Sequence, residues 1–154
     1  MSKNIPEVQK GKGVFIGVGV GPGDPELLTL KAYRAIQNAD VICYLENESG
    51  ESQALDIAVE ALKDPIKKQQ HLGVRFAMSR ERVAANIAYD KVITQIQEQL
   101  GLGKTVAFLC EGDPLFFGSF TYLLERLESQ YISQVIPGIP AFVAATAELQ
   151  LPLT

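Results

Sequence analysis

Three short segments combine glycine, proline and carboxylate residues where an apolar run gives way to a helical pattern. They are GVGPGD at residues 19–24, EGDP at 111–114 and PGIPA at 137–141, termed here the first, second and third turns. Glycine tolerates positive φ and lets a ligand approach the main chain closely, and unpaired amides at a helix start attract anionic or polar groups. One such turn is ordinary in an α/β protein. Three of them at one edge of a sheet predict a binding site for a small molecule.

The glycine spacing argues against the two commonest phosphate-binding motifs. A dinucleotide fingerprint needs glycines at its first, third and sixth positions. Counted from Gly17 the sixth residue is Pro22, and counted from Gly19 it is Asp24. The full phosphate-loop pattern, with a glycine five residues before Gly-Lys-Ser/Thr, is absent as well. Glu46 lies near the end of the second predicted strand, where an acidic residue would meet a ribose. A nucleotide-binding or regulatory module without chemistry of its own therefore stays an alternative.

Alternating strand and helix patterns predict the elements that must position these turns. Strands are predicted at residues 14–20, 40–45, 71–78, 105–110 and 132–136. Helices are predicted at 25–38, 52–63, 80–100, 114–129 and 140–149, with Asp24 and Ser79 as capping residues. This alternation predicts an α/β fold with a doubly wound, mainly parallel five-stranded sheet flanked by helices. Ligands bind such a sheet at the carboxyl ends of its strands, where all three turns are expected.

The composition limits the class of protein. The chain has 154 residues, of which 47% are hydrophobic and 21% charged, and this predicts one domain at 13–154 after a flexible segment at 1–12. A formal net charge of -4 argues against nucleic-acid binding, for which basic domains are typical. Cys43 and Cys110 lie in apolar runs and are predicted to be buried thiols, which suit a reducing cytosol. Without a run of about 18 apolar residues the expected protein is cytoplasmic, with no membrane segment.

Four segments that contain the turns resemble the tetrapyrrole methylases, a family of S-adenosylmethionine-dependent enzymes that methylate corrin and sirohaem precursors. The segments are GVGPGDPELLTLKA (19–32), ADVICY (39–44), VAFLCEGDPLFFGSF (106–120) and VIPGIPAFVAATAELQLPLT (135–154). Three further stretches resemble the members that methylate carbon 20 of precorrin-2, namely ESQALDIA (51–58), RFAMSRER (75–82) and GDPLFFGSFTYLLERL (112–127). Relatives that methylate another ring carbon, and the diphthamide and ribosomal-RNA branches, share the first two turns and stay as alternatives.

The resemblance implies a function and a domain organisation. The expected reaction is methylation of precorrin-2 or cobalt-precorrin-2 at carbon 20, giving precorrin-3A or its cobalt form, with S-adenosylhomocysteine as the second product. Family members carry a second α/β domain, and the cofactor lies in the cleft between the two domains. The chain is therefore expected to be the N-terminal domain, inactive by itself, of a cytoplasmic enzyme that forms a homodimer. No metal site is expected.

The resemblance also assigns roles to individual residues. Asp113 and Phe116 are both expected to contact the cofactor. For Asp113, capping of the following helix is an equal alternative, and for Phe116 the alternative is a position in the hydrophobic core. The positions that would bind the cofactor are Gly21, Pro22, Gly23, Glu111, Gly112, Asp113, Phe116, Pro140 and Ala141.

Two further groups of residues are candidates for contact with the substrate. Removal of a proton from the macrocycle carbon needs a base, but Leu45 stands where the sirohaem-forming relatives carry an aspartate, so Tyr44 and Glu46 are the candidates. A substrate with many carboxylates also needs local positive charge, since guanidinium groups pair well with carboxylates. The candidates for this role, with ordinary surface charge as the alternative, are Arg75, Arg80 and Arg82.

Overall fold

The structure, a computed structural model, describes residues 11–76 and 82–154. Its five strands are β1 (Gly11–Gly19), β2 (Val41–Glu46), β3 (Gln70–Arg75), β4 (Thr105–Cys110) and β5 (Tyr131–Ile136). Its helices are α1 (Leu30–Asn38), α2 (Gln53–Ile57), α3 (Val59–Leu62), α4 (Arg82–Gly101), α5 (Phe120–Leu127) and α6 (Ala141–Leu149). The strands form one sheet in the order β3-β2-β4-β1-β5, and each neighbouring pair is parallel. The predicted fold class is confirmed.

The strand order places a switch point between β1 and β4. From β1 the chain crosses to β2 on one side of the pair, whereas from β4 it crosses to β5 on the other side. Right-handed crossovers in opposite directions put the connecting helices on opposite faces of the sheet and open a crevice at the carboxyl ends of the two strands. The first and second turns follow these two strands directly.

Both faces of the sheet are covered by apolar helix surfaces. On one face α1, α2 and α3 bury residues such as Ile36 and Ile57 against the strands. On the other face α4 and α5 do the same, and the Phe120 ring stacks on Phe15 with centroids 5.3 Å apart. Gly17 makes room for this ring, because a side chain there would overlap it. β2 and β4 therefore carry apolar residues on both faces, as expected of central strands.

Two predicted helices are each divided in the structure. Instead of one helix at 25–38, a 3₁₀ turn over Pro25–Leu27 is followed by a new start at α1, where the Thr29 hydroxyl accepts a hydrogen bond from the Ala32 amide at 3.0 Å. Asp24 caps the 3₁₀ turn, as predicted, because its carboxylate accepts a hydrogen bond from the Glu26 amide at 2.9 Å. The predicted helix at 52–63 is interrupted at Ala58 and becomes α2 and α3.

The segment after the second turn differs most from its prediction. The predicted helix at 114–129 begins only at Phe120, and Phe117 lies before it in the left-handed region with φ 54°. Phe116 and Phe117 therefore lie in a turn at the edge of the sheet and not on a helix face. β3 ends at Arg75, three residues earlier than predicted, and Ser79 lies outside the described residues. Of the segment predicted to be flexible, residues 1–10 also lie outside them, while residues 11 and 12 belong to β1.

Candidate cofactor-binding site

The first and second turns are joined through their main chains at the switch point. Gly21 and Gly112 form an isolated antiparallel bridge, in which the Gly21 amide donates to the Gly112 carbonyl at 3.2 Å. The Gly112 amide donates back to the Gly21 carbonyl at 2.8 Å. Both residues have positive φ, 85° and 62°, a conformation that glycine adopts without the strain of a side chain. Two of the glycines that were predicted to let a ligand approach the main chain are thus hydrogen-bonded to each other.

The third turn packs directly against the other two. A Cβ on Gly19 would lie 2.5 Å from the Gly138 nitrogen. A Cβ on Gly138 would overlap the Gly112 carbonyl oxygen and lie 2.9 Å from the Cα of Gly19. Since these neighbours are backbone atoms, which no rotamer change can move away, only glycine fits at the junction. The structure thus brings together the three turns that the sequence predicted at one edge.

Asp113 connects the second and third turns through its carboxylate. One oxygen accepts a hydrogen bond from the Leu115 amide at 2.9 Å, and the other accepts from the Gly138 amide at 3.0 Å. The predicted capping of the following helix is wrong in its detail, since α5 begins only at Phe120. The carboxylate instead caps a local turn and holds a residue 25 positions further along the chain.

A pocket of about 330 Å³, termed the turn pocket, opens on this junction. Seven of the nine predicted cofactor contacts line it, while Gly21 lies in the bridge and Gly23 is exposed nearby. The lining that the sequence predicted consists of Pro22, Glu111, Gly112, Asp113, Phe116, Pro140 and Ala141. Three further lining residues, Gln53, Phe117 and Phe142, are not among the predicted contacts. Phe142 could have been predicted from the sequence, because it lies at the start of the helix that follows residues 137–141. Nothing in the sequence indicates the left-handed backbone of Phe117.

The electrostatics of the turn pocket disfavour phosphate. Two carboxylates, Glu111 and Asp113, line it, and none of its described lining residues is a lysine or arginine. The predicted free amides are also only partly available, because those of Leu115 and Gly138 already donate to Asp113. An anionic ligand would therefore meet negative charge and occupied donors. A neutral or cationic ligand with a planar apolar part fits better. The rings of Phe116 and Phe142, whose centroids are 5.2 Å apart, form an apolar part of the pocket wall.

The two base candidates on β2 differ in position. Tyr44 is buried beside α2, with its ring centroid 5.9 Å from that of His71, and it does not line the turn pocket. Burial, and to a smaller degree the negative charge of Glu46, raises the pKa of its phenol, so the phenolate is further disfavoured as a base. Glu46 and Leu45 line a second pocket of about 290 Å³, the side pocket, which shares wall residues with the turn pocket. Glu46 is therefore the better placed of the two.

The predicted arginine cluster is described only in part. Arg75 is exposed at the end of β3, beside Glu46 of β2 in the strand register. Its guanidinium lies near Gly50, whose added Cβ would be 3.5 Å from the nearer nitrogen. Arg80 lies outside the described residues, and of Arg82 the structure describes only the backbone at the start of α4. A shared binding surface for carboxylates stays a prediction.

Two properties of the described residues concern other classes of function. In residues 11–76 and 82–154, no helix is long and apolar enough to cross a membrane. Over the same residues, no three His, Cys, Asp or Glu side chains are grouped so that they could hold a metal ion. The two cysteines are free and buried, as predicted.

The fold is that of an α/β protein, and the turn pocket lies at the switch point of its parallel sheet. The chain belongs to the tetrapyrrole (corrin/porphyrin) methylase family, whose sequence model matches residues 14–154. The resemblance inferred from the sequence segments is thereby confirmed.

Three relatives illustrate the range of the family. Precorrin-2 C(20)-methyltransferase of a Sinorhizobium species is 40% identical over 93% of this chain and 60% of that protein. Cobalt-precorrin-4 C(11)-methyltransferase of Methanocaldococcus jannaschii is 33% identical over 89% of this chain and 46% of that protein. The solved uroporphyrin-III C-methyl transferase of Thermus thermophilus, complexed with S-adenosylhomocysteine, is 27% identical with a TM-score of 0.60, over 92% of this chain and 49% of that one. The chain therefore spans about half to three fifths of these relatives.

Proposed function

We propose that this protein transfers a methyl group from S-adenosylmethionine to carbon 20 of precorrin-2 or cobalt-precorrin-2, giving precorrin-3A or its cobalt form. The observation that carries the proposal is the turn pocket. It lies where the glycine main chains of the three turns pack together, and the carboxylates of Glu111 and Asp113 line it. The choice of carbon 20 is supported by the 40% identity to the Sinorhizobium enzyme. Relatives that act elsewhere on the ring, such as the C(11)-methyltransferase, make another ring carbon the alternative.

The turn pocket fits the chemistry of this cofactor. S-adenosylmethionine has a cationic sulfonium, a planar adenine ring and no phosphate, and when bound it supplies an activated methyl group. The carboxylates of Glu111 and Asp113 favour a cationic ligand. Phe116 and Phe142 offer apolar ring surfaces to a planar group. A dinucleotide would instead place phosphates against these carboxylates, so the same observation disfavours the nucleotide-binding alternative.

Most of the work that this proposal assigns to the chain is positioning. Methyl transfer is an in-line displacement, so its rate depends on how closely the donor and the acceptor carbon are held and on exclusion of water. The main-chain bridge of Gly21 and Gly112 and the contacts of Gly138 make the floor of the turn pocket rigid. Glu46 is the proposed acceptor of the ring proton, because its carboxylate lines the adjoining side pocket.

The first experiment locates the new methyl group. The protein in its complete natural form is incubated with precorrin-2 and a donor carrying a ¹³C-labelled methyl, and the product is examined by carbon NMR. Label at carbon 20 is expected. Label at another ring carbon would replace this proposal by another tetrapyrrole methylase. An unlabelled product, together with calorimetric binding of NAD or NADP but not of S-adenosylhomocysteine, would favour the nucleotide-binding module.

The role proposed for Glu46 has its own test. Glu46→Gln removes the proton acceptor and keeps the size of the side chain, so kcat is expected to fall by about 10²-fold or more. The dissociation constant of S-adenosylhomocysteine should stay within twofold, because Glu46 does not line the turn pocket. The matched control is Glu51→Gln in the same side pocket, for which little change in kcat is expected. An unchanged kcat in Glu46→Gln would remove Glu46 from the mechanism.

We also propose that residues 1–154 by themselves bind the cofactor weakly and do not turn over precorrin-2. The reason is that the relatives named above are longer, and the chain covers 60% of the Sinorhizobium enzyme. Calorimetry with S-adenosylhomocysteine and a turnover assay compare these residues with the complete protein. Turnover at the same rate by residues 1–154 would contradict this part of the proposal.

A further inference from the structure

The junction of the second and third turns combines a steric stop with a single polar tie. The stop is the packing of Gly138 against the carbonyl oxygen of Gly112, which keeps the two turns from approaching any closer. The tie is the hydrogen bond from the Gly138 amide to the Asp113 carboxylate, 3.0 Å long and partly buried. One contact limits approach and the other limits separation, so together they fix the distance between the turns.

The second and third turns, with the residues that follow them, both contribute to the lining of the turn pocket. Gly112 and Phe116 belong to the second turn and the segment after it, while Pro140 and Phe142 belong to the third turn and the start of α6. Few other groups in the third turn can hold it, because two of its five residues are prolines and have no amide hydrogen. Among the described residues, the Gly138–Asp113 bond is the hydrogen bond that joins the third turn to the second.

We propose that Asp113 is a positioning residue: besides the negative charge that it adds to the lining of the turn pocket, it fixes the position of the third turn relative to the second. Its two oxygens each accept from a main-chain amide, one from Leu115 just after the second turn and one from Gly138 in the third turn. A hydrogen bond that involves a charged group is stronger than a neutral one, so a carboxylate suits this role better than an amide side chain. The cofactor part of this inference rests on the function proposed above, whereas the tie between the turns does not.

Asp113→Asn tests the tie with little change in shape. The asparagine oxygen can accept from one of the two amides, but its NH₂ group then faces the other amide as a second donor. The dissociation constant of S-adenosylhomocysteine, measured by calorimetry on the complete protein, is expected to rise about tenfold. Asp113→Glu keeps the charge and both acceptors but lengthens the side chain, and we expect a smaller rise in the same direction.

A matched control lies at the opposite edge of the sheet. Asp40 also joins distant segments, because its carboxylate accepts from the Thr105 amide at 2.8 Å and pairs with Lys67 at 2.7 Å. Asp40→Asn should lower the thermal midpoint by an amount similar to that of Asp113→Asn. It should leave the dissociation constant of S-adenosylhomocysteine within twofold of the unaltered protein. A purely structural role for Asp113 would make the two variants behave alike.

Amide hydrogen exchange tests the tie without any cofactor. Exchange of the Gly138 amide, followed by NMR, is expected to be about tenfold faster in Asp113→Asn and unchanged in Asp40→Asn. Unchanged exchange at Gly138, or cofactor binding by Asp113→Asn within twofold of the unaltered protein, would overturn the role of Asp113 while the proposed function stands. Failure of the unaltered protein to bind S-adenosylhomocysteine would overturn the proposed function and the cofactor role of Asp113, and the exchange rate would still test the tie.

Discussion

Replacing Gly138 by alanine adds one methyl group at the tightest junction of the three turns. The added Cβ would overlap the Gly112 carbonyl oxygen and lie 2.9 Å from the Cα of Gly19. Because the overlapping atoms belong to the main chain, the third turn itself has to move. The φ of Gly138 is not in the left-handed region, so any loss of stability reflects crowding and not backbone strain.

The expected loss follows from two contributions. Overpacking of a close-packed site costs about 1–3 kcal/mol, and displacement of the turn also weakens the hydrogen bond from Gly138 to Asp113, which contributes about 1 kcal/mol. Gly138→Ala should therefore lower the free energy of unfolding by about 2–4 kcal/mol. For a chain of this size the thermal midpoint should fall by roughly 5–15 °C.

Alanine substitutions at two other glycines serve as controls for the loss of stability. In Gly112→Ala the nearest atom to the new Cβ, the Cα of Pro140, is 3.5 Å away, so only the positive φ of 62° costs free energy, about 1–2 kcal/mol. In Gly101→Ala, at the end of α4, the new Cβ has nothing within 4 Å, so stability should stay the same or rise by up to about 1 kcal/mol.

Urea unfolding followed by circular dichroism gives these free energies, and calorimetry with S-adenosylhomocysteine gives the affinity. The destabilisation is expected to be largest for Gly138→Ala, smaller for Gly112→Ala and absent for Gly101→Ala. Gly138→Ala should also weaken binding about tenfold or more, since it displaces one wall of the turn pocket. A Gly138→Ala protein as stable as the unaltered one, with the same affinity, would refute the packing argument for the three turns.

Three further predictions concern other parts of the fold. Phe117→Gly should raise the free energy of unfolding by about 0.5–1 kcal/mol in urea titrations, because Phe117 is 97% exposed and has a φ of 54°. Cys43 and Cys110 should react with a thiol reagent at pH 8 only after unfolding, since burial raises the pKa of Cys43 to about 12 and raises that of Cys110 as well. The hydrogen bond and ion pair from Lys67 lower the pKa of the Asp40 carboxyl. Asp40→Asn should therefore be less stable at neutral pH, and the difference should shrink as the pH falls below about 4 and through the lowered pKa, where the unaltered carboxyl is protonated too.

The sequence predicted elements best where local patterning and burial agree. The β4 run TVAFLC at 105–110 is continuously apolar, and the structure gives it these bounds, because a central strand is buried on both faces. The α6 pattern was predicted within one residue, since Pro140 excludes an earlier start. The division of the predicted helix at 25–38 was missed, although the Thr29 cap that causes it is a local signal.

Some features of the candidate site were likewise predictable from the local sequence, and others were not. Bare main chain at three strand ends can be read from residue types, and it predicted a binding site at this edge, while the family resemblance supplied the seven predicted residues that line the turn pocket. The use of Asp113 could not be decided in this way, because its partner Gly138 lies 25 residues further along the chain. Nor could the left-handed backbone of Phe117, a conformation that residue type disfavours.

By itself, the sequence determined the alternation of strands and helices, the three glycine-containing turns and the family resemblance, because each depends on residues close together in the chain. Only the tertiary structure decided the strand order, which puts β1 beside β4 and their two turns within hydrogen-bonding distance. It also decided that the amides of Leu115 and Gly138 are bound by a carboxylate and not free for a ligand. The physical reason is that contacts between turns about 25 and 90 residues apart depend on how the whole sheet folds, which local periodicity does not record.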